Sequence, residues 1–365
     1  MSFWDTLPKP FLGLSPMDGV SDAAFRYITA KYGKPDVITT EFVSVDGIVH
    51  AANTLFRDFW FDDIERPILG QIFGIDPKLF YISAQIIAEL GFDGVDINMG
   101  CPARTVSGRG AGAGLIRTPA LALEIIAAVK DGLKDWYENG LSFEIGGRLL
   151  DAIIDAKCRI NSSMDKGRSL LPVSVKTRIG YDSVEIDKWI PILLESHIAN
   201  LTVHGRTLKQ MYKGEADWQS LKRVGEIVHE YNRKSKYRTS FIANGDISSP
   251  EVAFQRLTQV DADGIYIGRG SYGDPWIFER VRHYLNNKEI LVEESIYEKA
   301  RVVLEHCQLH YELFGEASFV QMRKHLAWYI RGFSQAKEIR VSLLKSNNPE
   351  EVRHILLSAG LLPES

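Results

Sequence analysis

The stretch Phe92–Pro102, FDGVDINMGCP, decides the fold. Its centre, Gly94–Met99, is a short apolar run that ends in small and polar residues, and a helical pattern follows it. A run of this length bounded by turn residues is typical of a buried strand. A strand followed by a helix is one βα unit, and repeated βα units build a parallel sheet.

The same pattern recurs along the chain, which gives eight predicted strands in total. The others are Phe11–Met17, Val37–Val43, Ile68–Phe73, Pro172–Arg178, Leu201–Gly205, Phe241–Asn244 and Gly264–Gly268. The helix after the third strand, Pro77–Leu90, has Asp76 as its N-cap and Gly91 after its end. Eight such units favour an α/β fold of the (β/α)8 TIM-barrel type over an open doubly wound sheet.

Two segments lie outside this repeat. Residues 136–170 separate the fourth helix from the fifth strand by more than a usual αβ loop, which predicts an insertion with a helix at Arg148–Arg159. After Gly270 no further strand pattern appears, and the pattern is helical to the end. We therefore expect a catalytic barrel domain over residues 1–290 and a small all-helical domain over residues 291–365.

Composition excludes several classes of protein. The 365 residues carry a formal charge of −4, so RNA binding would depend on local patches and not on a uniformly basic surface. The start, MSFWDTLPKP, lacks a signal-peptide pattern, and no apolar run is long enough to span a membrane. Cys101, Cys158 and Cys307 form no C-x-x-C pair for zinc. We expect a cytoplasmic protein with free thiols, no membrane partner and no metal.

Polar residues at the strand ends indicate the site, because barrels place their reactive groups at the carboxyl ends of strands. Together with their neighbours in the strand-end motifs they are, in chain order, Ser15, Pro16, Met17, Gln71, Asn98, Cys101, Lys176, Arg178, His204, Arg206, Asn244, Gly245, Asp246, Gly268 and Arg269. The glycine-containing loops after the seventh and eighth strands favour phosphate binding, since backbone amides there can approach an anion closely.

Three of these side chains have both a chemical and a structural interpretation. Cys101 precedes a glycine-rich stretch, Gly108–Gly114, predicted to be a mobile loop, which favours a reactive role over that of a small buried apolar residue. Lys176 within an apolar run needs an anionic partner, either a negatively charged cofactor or a salt bridge to Asp96. His204 is either a site residue or a core histidine.

With SPMDGVSD at Ser15–Asp22, the chain resembles the tRNA-dihydrouridine synthases. The other matching motifs are NMGCP from Asn98, KTRIG from Lys176, VHGRT from Val203, ANGD from Ala243 and IGRG from Ile267. The resemblance runs from about Leu12 to Arg340. The insertion departs from the family pattern.

The resemblance implies FMN lying across the strand ends. Its phosphate would be held by Asn244, Gly245, Gly268 and Arg269, with Asp246 in the same loop also counted as cofactor-binding. Its ring would lie near Ser15, Pro16, Met17, Gln71, Lys176 and His204. NADPH would reduce the FMN, hydride would pass to C6 of uracil, and Cys101 would donate a proton to C5.

The resemblance also implies a tRNA substrate whose uridine is flipped out of its stack. Asn98, Arg178 and Arg206 would contact the flipped base or its phosphate. The C-terminal helices would bind the RNA backbone, with Arg323, Lys324 and Arg331 as the expected contacts. Residues 320–340 also hold Lys337 and Arg340 against one acid, Glu338. A solvated helix face is the alternative for this basic segment. We expect a monomer.

Three other functions remain open on the sequence. One is a flavin barrel that reduces a free small molecule, such as a dihydropyrimidine or dihydroorotate dehydrogenase. Another is a Schiff-base aldolase with Lys176 as nucleophile. The third is a non-enzymatic RNA-binding protein that uses the barrel as a scaffold.

Overall fold

Eight parallel strands close into a barrel in the computed structural model, which describes residues 2–50, 55–162 and 167–363. Each strand pairs with the next along the chain, and the last pairs with the first. They are β1 (Phe11–Leu14), β2 (Val37–Ser44), β3 (Ile68–Phe73), β4 (Gly94–Met99), β5 (Val173–Arg178), β6 (Asn200–His204), β7 (Ser240–Asn244) and β8 (Gly264–Ile267). The predicted TIM barrel is confirmed.

Helices surround this barrel and continue beyond it. Those up to the end of the barrel are α1 (Ala23–Gly33), α2 (Val45–His50), α3 (Pro77–Glu89), α4 (Arg104–Ser107), α5 (Pro119–Asn139), α6 (Arg148–Arg159), α7 (Ile186–Glu195), α8 (Trp218–Lys234), α9 (Pro250–Gln259) and α10 (Ile277–Asn287). After them come α11 (Ile296–Phe314), α12 (Arg323–Tyr329), α13 (Ala336–Leu343) and α14 (Pro349–Ser358).

Local signals explain where several helices begin. The Asp76 side chain accepts a hydrogen bond from the Lys78 amide, and Pro77 opens α3 as the sequence predicts. Helix α9 begins in the same way after Ser249, whose side chain accepts from the Val252 amide. These caps start the helices directly behind the strands and so keep the βα loops short.

Strand β1 ends at Leu14, three residues before the predicted end at Met17. Pro16 has no N–H and cannot continue the ladder. The amide of Met17 instead donates to Oγ of Ser21 at 2.8 Å. Ser15, Pro16 and Met17 therefore form a loop at the mouth of the barrel.

The stretch Gly108–Gly114, predicted to be a mobile loop, is folded against the barrel instead. Helix α4 precedes it, and a 3-10 helix covers Gly112–Arg117. The Ala113 amide donates to the carbonyl of Cys101 at 3.2 Å, and Ala113 is fully buried. Gly112 has φ +55°, and a side chain there would meet Cys101. The glycines thus let the chain pack closely beside the cysteine.

The insertion contains its predicted helix, α6, with the predicted bounds. Ala152, Ile153 and Ala156 are buried within the barrel's own apolar cluster. The segment therefore extends the barrel core; residues 163–166 of the predicted insertion lie outside the described residues.

The C-terminal helices share a second apolar cluster that includes Ile28 of α1 and Trp276 of the barrel. Two polar contacts join the same surfaces, because Lys31 and Tyr32 of α1 both bond to Glu305 of α11, at 2.6 and 2.7 Å. This helical unit is seated on α1. Within the described residues no helix is both long and apolar enough to cross a membrane.

Candidate active site

A cavity of about 590 Å³ opens at the carboxyl ends of the strands, which is where this fold places active sites. Its size is typical of small-molecule and cofactor sites. The predicted residues that line it are Ser15, Pro16, Met17, Gln71, Asn98, Cys101, Lys176, Arg178, His204, Asn244, Gly245, Asp246, Gly268 and Arg269. The structure brings together every residue predicted to bind the cofactor, with the predicted catalytic cysteine.

Cys101 lies in the turn that follows β4 and is 8% exposed. The Asn98 side-chain oxygen accepts hydrogen bonds from the amides of Gly100 and Cys101, at 3.0 and 2.8 Å. The Arg178 guanidinium donates to the Gly100 carbonyl at 2.6 Å. Burial raises the pKa of the Cys101 thiol above its ordinary value. The hydrogen bonds therefore fix the main chain of the turn that carries Cys101, and the raised pKa favours the protonated thiol at neutral pH.

Lys176 projects from β5 next to Asn98, its partner in the β4–β5 register. Burial, together with the charge of Arg178, lowers the pKa of Lys176 to about 8. Among the described residues no carboxylate lies within 4.0 Å of its ammonium nitrogen, so the salt bridge to Asp96 is not formed. Lys176 therefore forms no ion pair with the described residues, although the more distant charge of Asp96 acts to raise its pKa.

His204 lines the cavity at the end of β6, with Nε2 at 3.3 Å from a guanidinium nitrogen of Arg206. Burial is the main cause that holds the pKa of His204 well below its usual range. The nearby cations Arg178 and Lys176 act in the same direction. The imidazole is therefore neutral, and because arginine only donates, Nε2 accepts from Arg206 and Nδ1 carries the proton that can be donated.

Arg206 does not reach the cavity, although the sequence predicts an RNA contact there. Its guanidinium pairs with Asp246 at 2.6 and 3.0 Å, and it is 2% exposed. Asp246 also binds Arg269, at 2.7 Å, and the Ala216 amide, at 2.8 Å. Burial alone would raise the pKa of Asp246, but the bonds from Arg206 and Ala216 outweigh it and lower the pKa. This carboxylate holds Arg269 at the cavity edge.

The loops after β7 and β8 meet at this edge. In the described part of the chain, the amides of Arg269 and Gly270 donate to no protein acceptor. A side chain at Gly270 would come within 2.3 Å of the carbonyl of Ile247, which lies in the loop after β7. Glycine is required for the approach of the two loops, which leaves free amide donors beside Arg269. This is an anion-binding arrangement.

Aromatic residues that the sequence analysis missed also line the cavity: Phe42, Tyr212, Tyr266 and Tyr272. Phe42 lies on β2 and packs edge-on against Phe73, with ring centroids 5.0 Å apart. Phe42 lies near the carboxyl end of β2, but as an apolar residue it lacks the polar signal that identified Gln71. Tyr212 has no such signal, because it lies in the long loop after β6 and is 59% exposed. Asp18 and Met211 also line the cavity.

The basic residues of the C-terminal helices lie outside the cavity. Arg323 donates to the Ser346 carbonyl at 2.9 Å and to the Asn347 side chain at 2.7 Å. Lys324 donates to the Gly19 carbonyl in the loop after β1. Arg331 is exposed. Two of the three predicted RNA contacts therefore also hold protein segments in place.

Comparison with known proteins gives a family match over most of the chain. The family model described as "Dihydrouridine synthase (Dus)" matches residues 13–138 and 143–361. A "Probable tRNA-dihydrouridine synthase 2" of Bacillus subtilis (strain 168) is 33% identical over 360 residues, which are 97% of this chain and 95% of that protein. A "Probable tRNA-dihydrouridine synthase" of Staphylococcus epidermidis is 32% identical over 362 residues, with the same coverage of 97% and 95%.

Solved structures resemble the chain less closely. Histamine dehydrogenase from Rhizobium sp. 4-9 is 12% identical, with a TM-score of 0.49, over 82% of this chain and 48% of that one. Among the described residues no group of three or more His, Cys, Asp or Glu side chains is placed to hold a metal ion.

Proposed function

The chain belongs to the dihydrouridine synthase family, and from this premise we propose that it reduces uridine to 5,6-dihydrouridine in tRNA, with FMN as cofactor and NADPH as reductant. Membership of this family makes the chain an enzyme, which excludes the scaffold interpretation and argues against the aldolase. The names of its relatives favour RNA over a free small molecule as substrate.

The cavity is suited to an anionic cofactor at two points. The free amides of Arg269 and Gly270, beside the Arg269 side chain, are suited to a phosphate. The unpaired ammonium of Lys176 offers a counter-charge deeper in the cavity. We assign the phosphate side to Asn244, Gly245, Asp246, Gly268 and Arg269, with Asp246 acting through Arg269. We assign the ring side to Ser15, Pro16, Met17, Gln71, Lys176 and His204.

Reduced FMN, when bound, supplies a hydride for C6 of the uracil ring. Cys101 supplies the proton that C5 receives. Its thiol holds that proton at neutral pH because the ordinary thiol pKa of about 8.5 already lies above 7, and burial raises the pKa of Cys101 further. The positive charges of Lys176 and Arg178 act on the same thiol and lower its pKa, so they stabilise the thiolate left after proton donation. Proton exchange with solvent then restores the thiol.

A uridine inside folded RNA must leave its stack to reach this cavity. Asn98 and Arg178 line it and are proposed to bind the flipped base, although both already bond to the turn that carries Cys101. Arg206 contributes through Asp246, and Arg323, Lys324 and Arg331 are proposed to bind the RNA backbone from the C-terminal helices. The partly exposed ring of Tyr212 at the cavity provides a stacking surface.

One observation carries the proposal: Cys101 and Lys176 line the same cavity as the loops after β7 and β8, which hold the free amides of Arg269 and Gly270. The test is to incubate an unmodified tRNA transcript with the protein, FMN and NADPH under anaerobic conditions. Mass spectrometry of the nuclease digest should show a uridine with two added hydrogens. A transcript that stays unmodified, with a flavin that NADPH reduces, would overturn the proposed substrate.

A further inference from the structure

A row of buried hydrogen bonds connects Asp96 to the catalytic turn. The Gln71 amide nitrogen donates to Asp96 at 2.6 Å, and the Gln71 oxygen accepts from the Asn98 amide nitrogen at 3.0 Å. The Asn98 oxygen accepts from the amides of Gly100 and Cys101. Asp96, Gln71 and Asn98 are 2%, 0% and 6% exposed, so water competes little for these bonds.

The strands of the barrel fix this row. Gln71 on β3 and Asp96 on β4 are partners in the parallel register, and Asn98 lies two residues further along β4 on the same face. The Gln71 main chain is itself held, because its amide donates to the Thr40 hydroxyl at 3.0 Å. The three side chains are therefore placed by the sheet.

Every hydrogen bond in this row is donated towards the Asp96 end, and Asp96 determines this orientation. Burial raises the pKa of Asp96 to about 7, while the hydrogen bond from Gln71 and the charge of Lys176 act to lower it, so the ionised form predominates above neutral pH. An ionised carboxylate only accepts hydrogen bonds, whereas each side-chain amide has one donating and one accepting end. Asp96 therefore turns the Gln71 nitrogen towards itself and the Gln71 oxygen towards Asn98. The same rule turns the Asn98 oxygen towards the amides of Cys101 and Gly100.

Without an acceptor at position 96, both amides are free to turn over. A turned Asn98 would face the amides of Gly100 and Cys101 with its own N–H groups, so donors would oppose donors. Unpaired buried donors are costly, so the turn would move to relieve them. A shift of about 1 Å in a reacting group is enough to slow catalysis roughly 100-fold.

We propose that Asp96 is a positioning residue that fixes the turn of Cys101 through Gln71 and Asn98. It does not line the cavity and touches no group that would react. The consequence for the reaction rests on the proposed function, in which Cys101 donates a proton. The effect of Asp96 on the turn itself does not depend on the proposed function.

The test uses two substitutions at position 96 and one matched control. Asp96→Leu removes the acceptor, while Asp96→Asn keeps an acceptor oxygen without the charge. Ser174→Ala is the control, because Ser174 is the register partner of Asp96 on β5, is fully buried, and has a hydroxyl without a hydrogen-bond partner among the described residues. Each purified protein is measured with and without tRNA.

The first readout is hydrogen exchange of the Gly100 and Cys101 amides in the protein without substrate. Exchange should be roughly tenfold or more faster in Asp96→Leu, and close to wild type in Asp96→Asn and Ser174→Ala. The substitution Gln71→Leu breaks the same row nearer to Cys101 and should speed exchange of the same two amides. It therefore tests the proposal even if Asp96→Leu does not fold. Unchanged exchange in a folded Asp96→Leu or in Gln71→Leu would overturn the proposal.

The second readout separates the two halves of the reaction. In Asp96→Leu the tRNA-dependent reoxidation of flavin should slow by roughly 10- to 100-fold, while reduction by NADPH stays within about twofold of wild type. Asp96→Asn should recover most of the rate. If Asp96→Asn were as slow as Asp96→Leu, the acceptor oxygen would not be what positions the turn, and the proposal would be overturned. Faster amide exchange in Asp96→Leu with an unchanged rate of flavin reoxidation by tRNA would overturn it as well. A wild-type protein that forms no dihydrouridine would overturn the proposed function, and amide exchange alone would then decide whether Asp96 holds the turn.

Discussion

Tyr272 and Trp328 stack face to face, with ring centroids 4.0 Å apart and an interplanar angle of 11°. Tyr272 follows β8 and lines the cavity, whereas Trp328 belongs to α12 of the C-terminal helices. The stack therefore joins the wall of the active site to the helical unit that is proposed to bind RNA. Movement of the C-terminal helices would therefore displace Tyr272 and change the wall of the cavity.

The substitution Trp328→Ala should weaken the contact between the cavity wall and the C-terminal helices. Loss of a half-buried aromatic stack is expected to cost roughly 1–3 kcal/mol of stability and to lower Tm. The KM for tRNA should rise, while reduction of the flavin by NADPH should change little. Thermal unfolding and steady-state kinetics measure both effects. Tyr297→Ala, at an exposed ring on α11, is the control, and an equal effect there would contradict the role of the stack.

Cys101→Ala should abolish most tRNA reduction and leave flavin binding intact, since only the proton donor is removed. General acid catalysis contributes roughly 10²- to 10⁴-fold, which sets the expected fall in rate. Stopped-flow reoxidation by tRNA measures it. Cys158→Ala, at an exposed thiol on α6, should behave as wild type. Equal activity of Cys101→Ala and Cys158→Ala would remove the assigned role.

The pH dependence of the tRNA step should show the raised pKa of Cys101. A raised pKa keeps the thiol protonated to higher pH, so the donor is lost only as pH rises through the shifted value. Loss of the thiol proton should therefore lower the rate only above the ordinary thiol range of about 8–9. Loss of the Lys176 charge near pH 8 is a separate effect, which the same profile in Lys176→Met removes. A pH–rate profile of flavin reoxidation tests this. A fall that begins near pH 7 would contradict it.

Lys176→Met should weaken cofactor binding and stabilise the cofactor-free protein at pH 7. Burial lowers the pKa of Lys176 to about 8, against roughly 10.4 in an unfolded chain. Between these values the unfolded chain holds more protons, so wild-type stability rises with pH. The advantage of the variant in Tm, on the order of 2 °C or more at pH 7, should shrink towards pH 10.

Lys134→Met, at an exposed position on α5, controls for the loss of a lysine from the surface. A Lys176→Met protein that binds FMN as tightly as wild type would remove the assigned contact with the cofactor. An advantage in Tm that stays constant with pH would show that the Lys176 ammonium is not the source of the instability.

The basic C-terminal segment should contribute to the salt dependence of tRNA binding. Arg323→Ala with Lys324→Ala should weaken binding and make the salt slope shallower, by about one for each phosphate that is no longer neutralised, while NADPH oxidation persists. This pair should also lower Tm, because Arg323 bonds to Ser346 and Asn347. Arg331→Ala should change only the slope.

Lys234→Ala is the matched control for these substitutions. Lys234 ends α8, so the topology puts it at the end of the barrel opposite the cavity. Titrations of tRNA at several salt concentrations distinguish the variants. An unchanged slope in Arg331→Ala and in the double variant would leave the segment as a solvated helix face.

The strands were predictable because each is a short apolar run with a polar end, and the structure confirms every one within a few residues. The end of β1 differs most from its prediction. The apolar pattern extends the strand to Met17, but Pro16 has no N–H to continue the ladder. The folding of Gly108–Gly114 was not predictable, because its packing depends on the position of the Cys101 carbonyl, which belongs to a different element.

The candidate site likewise has features that the sequence predicts and features that it does not. Strand-end position was enough to place Gln71, Lys176 and Asn244 in one cavity, because parallel strands in a barrel bring their ends together. It was not enough for Arg206, a buried side chain whose direction is set by its ion pair with Asp246. The row from Asp96 to Asn98 was also hidden, because a sequence does not show which way two amides point.

The most direct measurement is the absorption spectrum of the purified protein during anaerobic addition of NADPH and then of unmodified tRNA. The account predicts flavin bands that bleach with NADPH and recover when tRNA is added. A protein that shows no flavin bands and that FMN cannot reconstitute, or a reduced flavin that tRNA does not reoxidise, would contradict it.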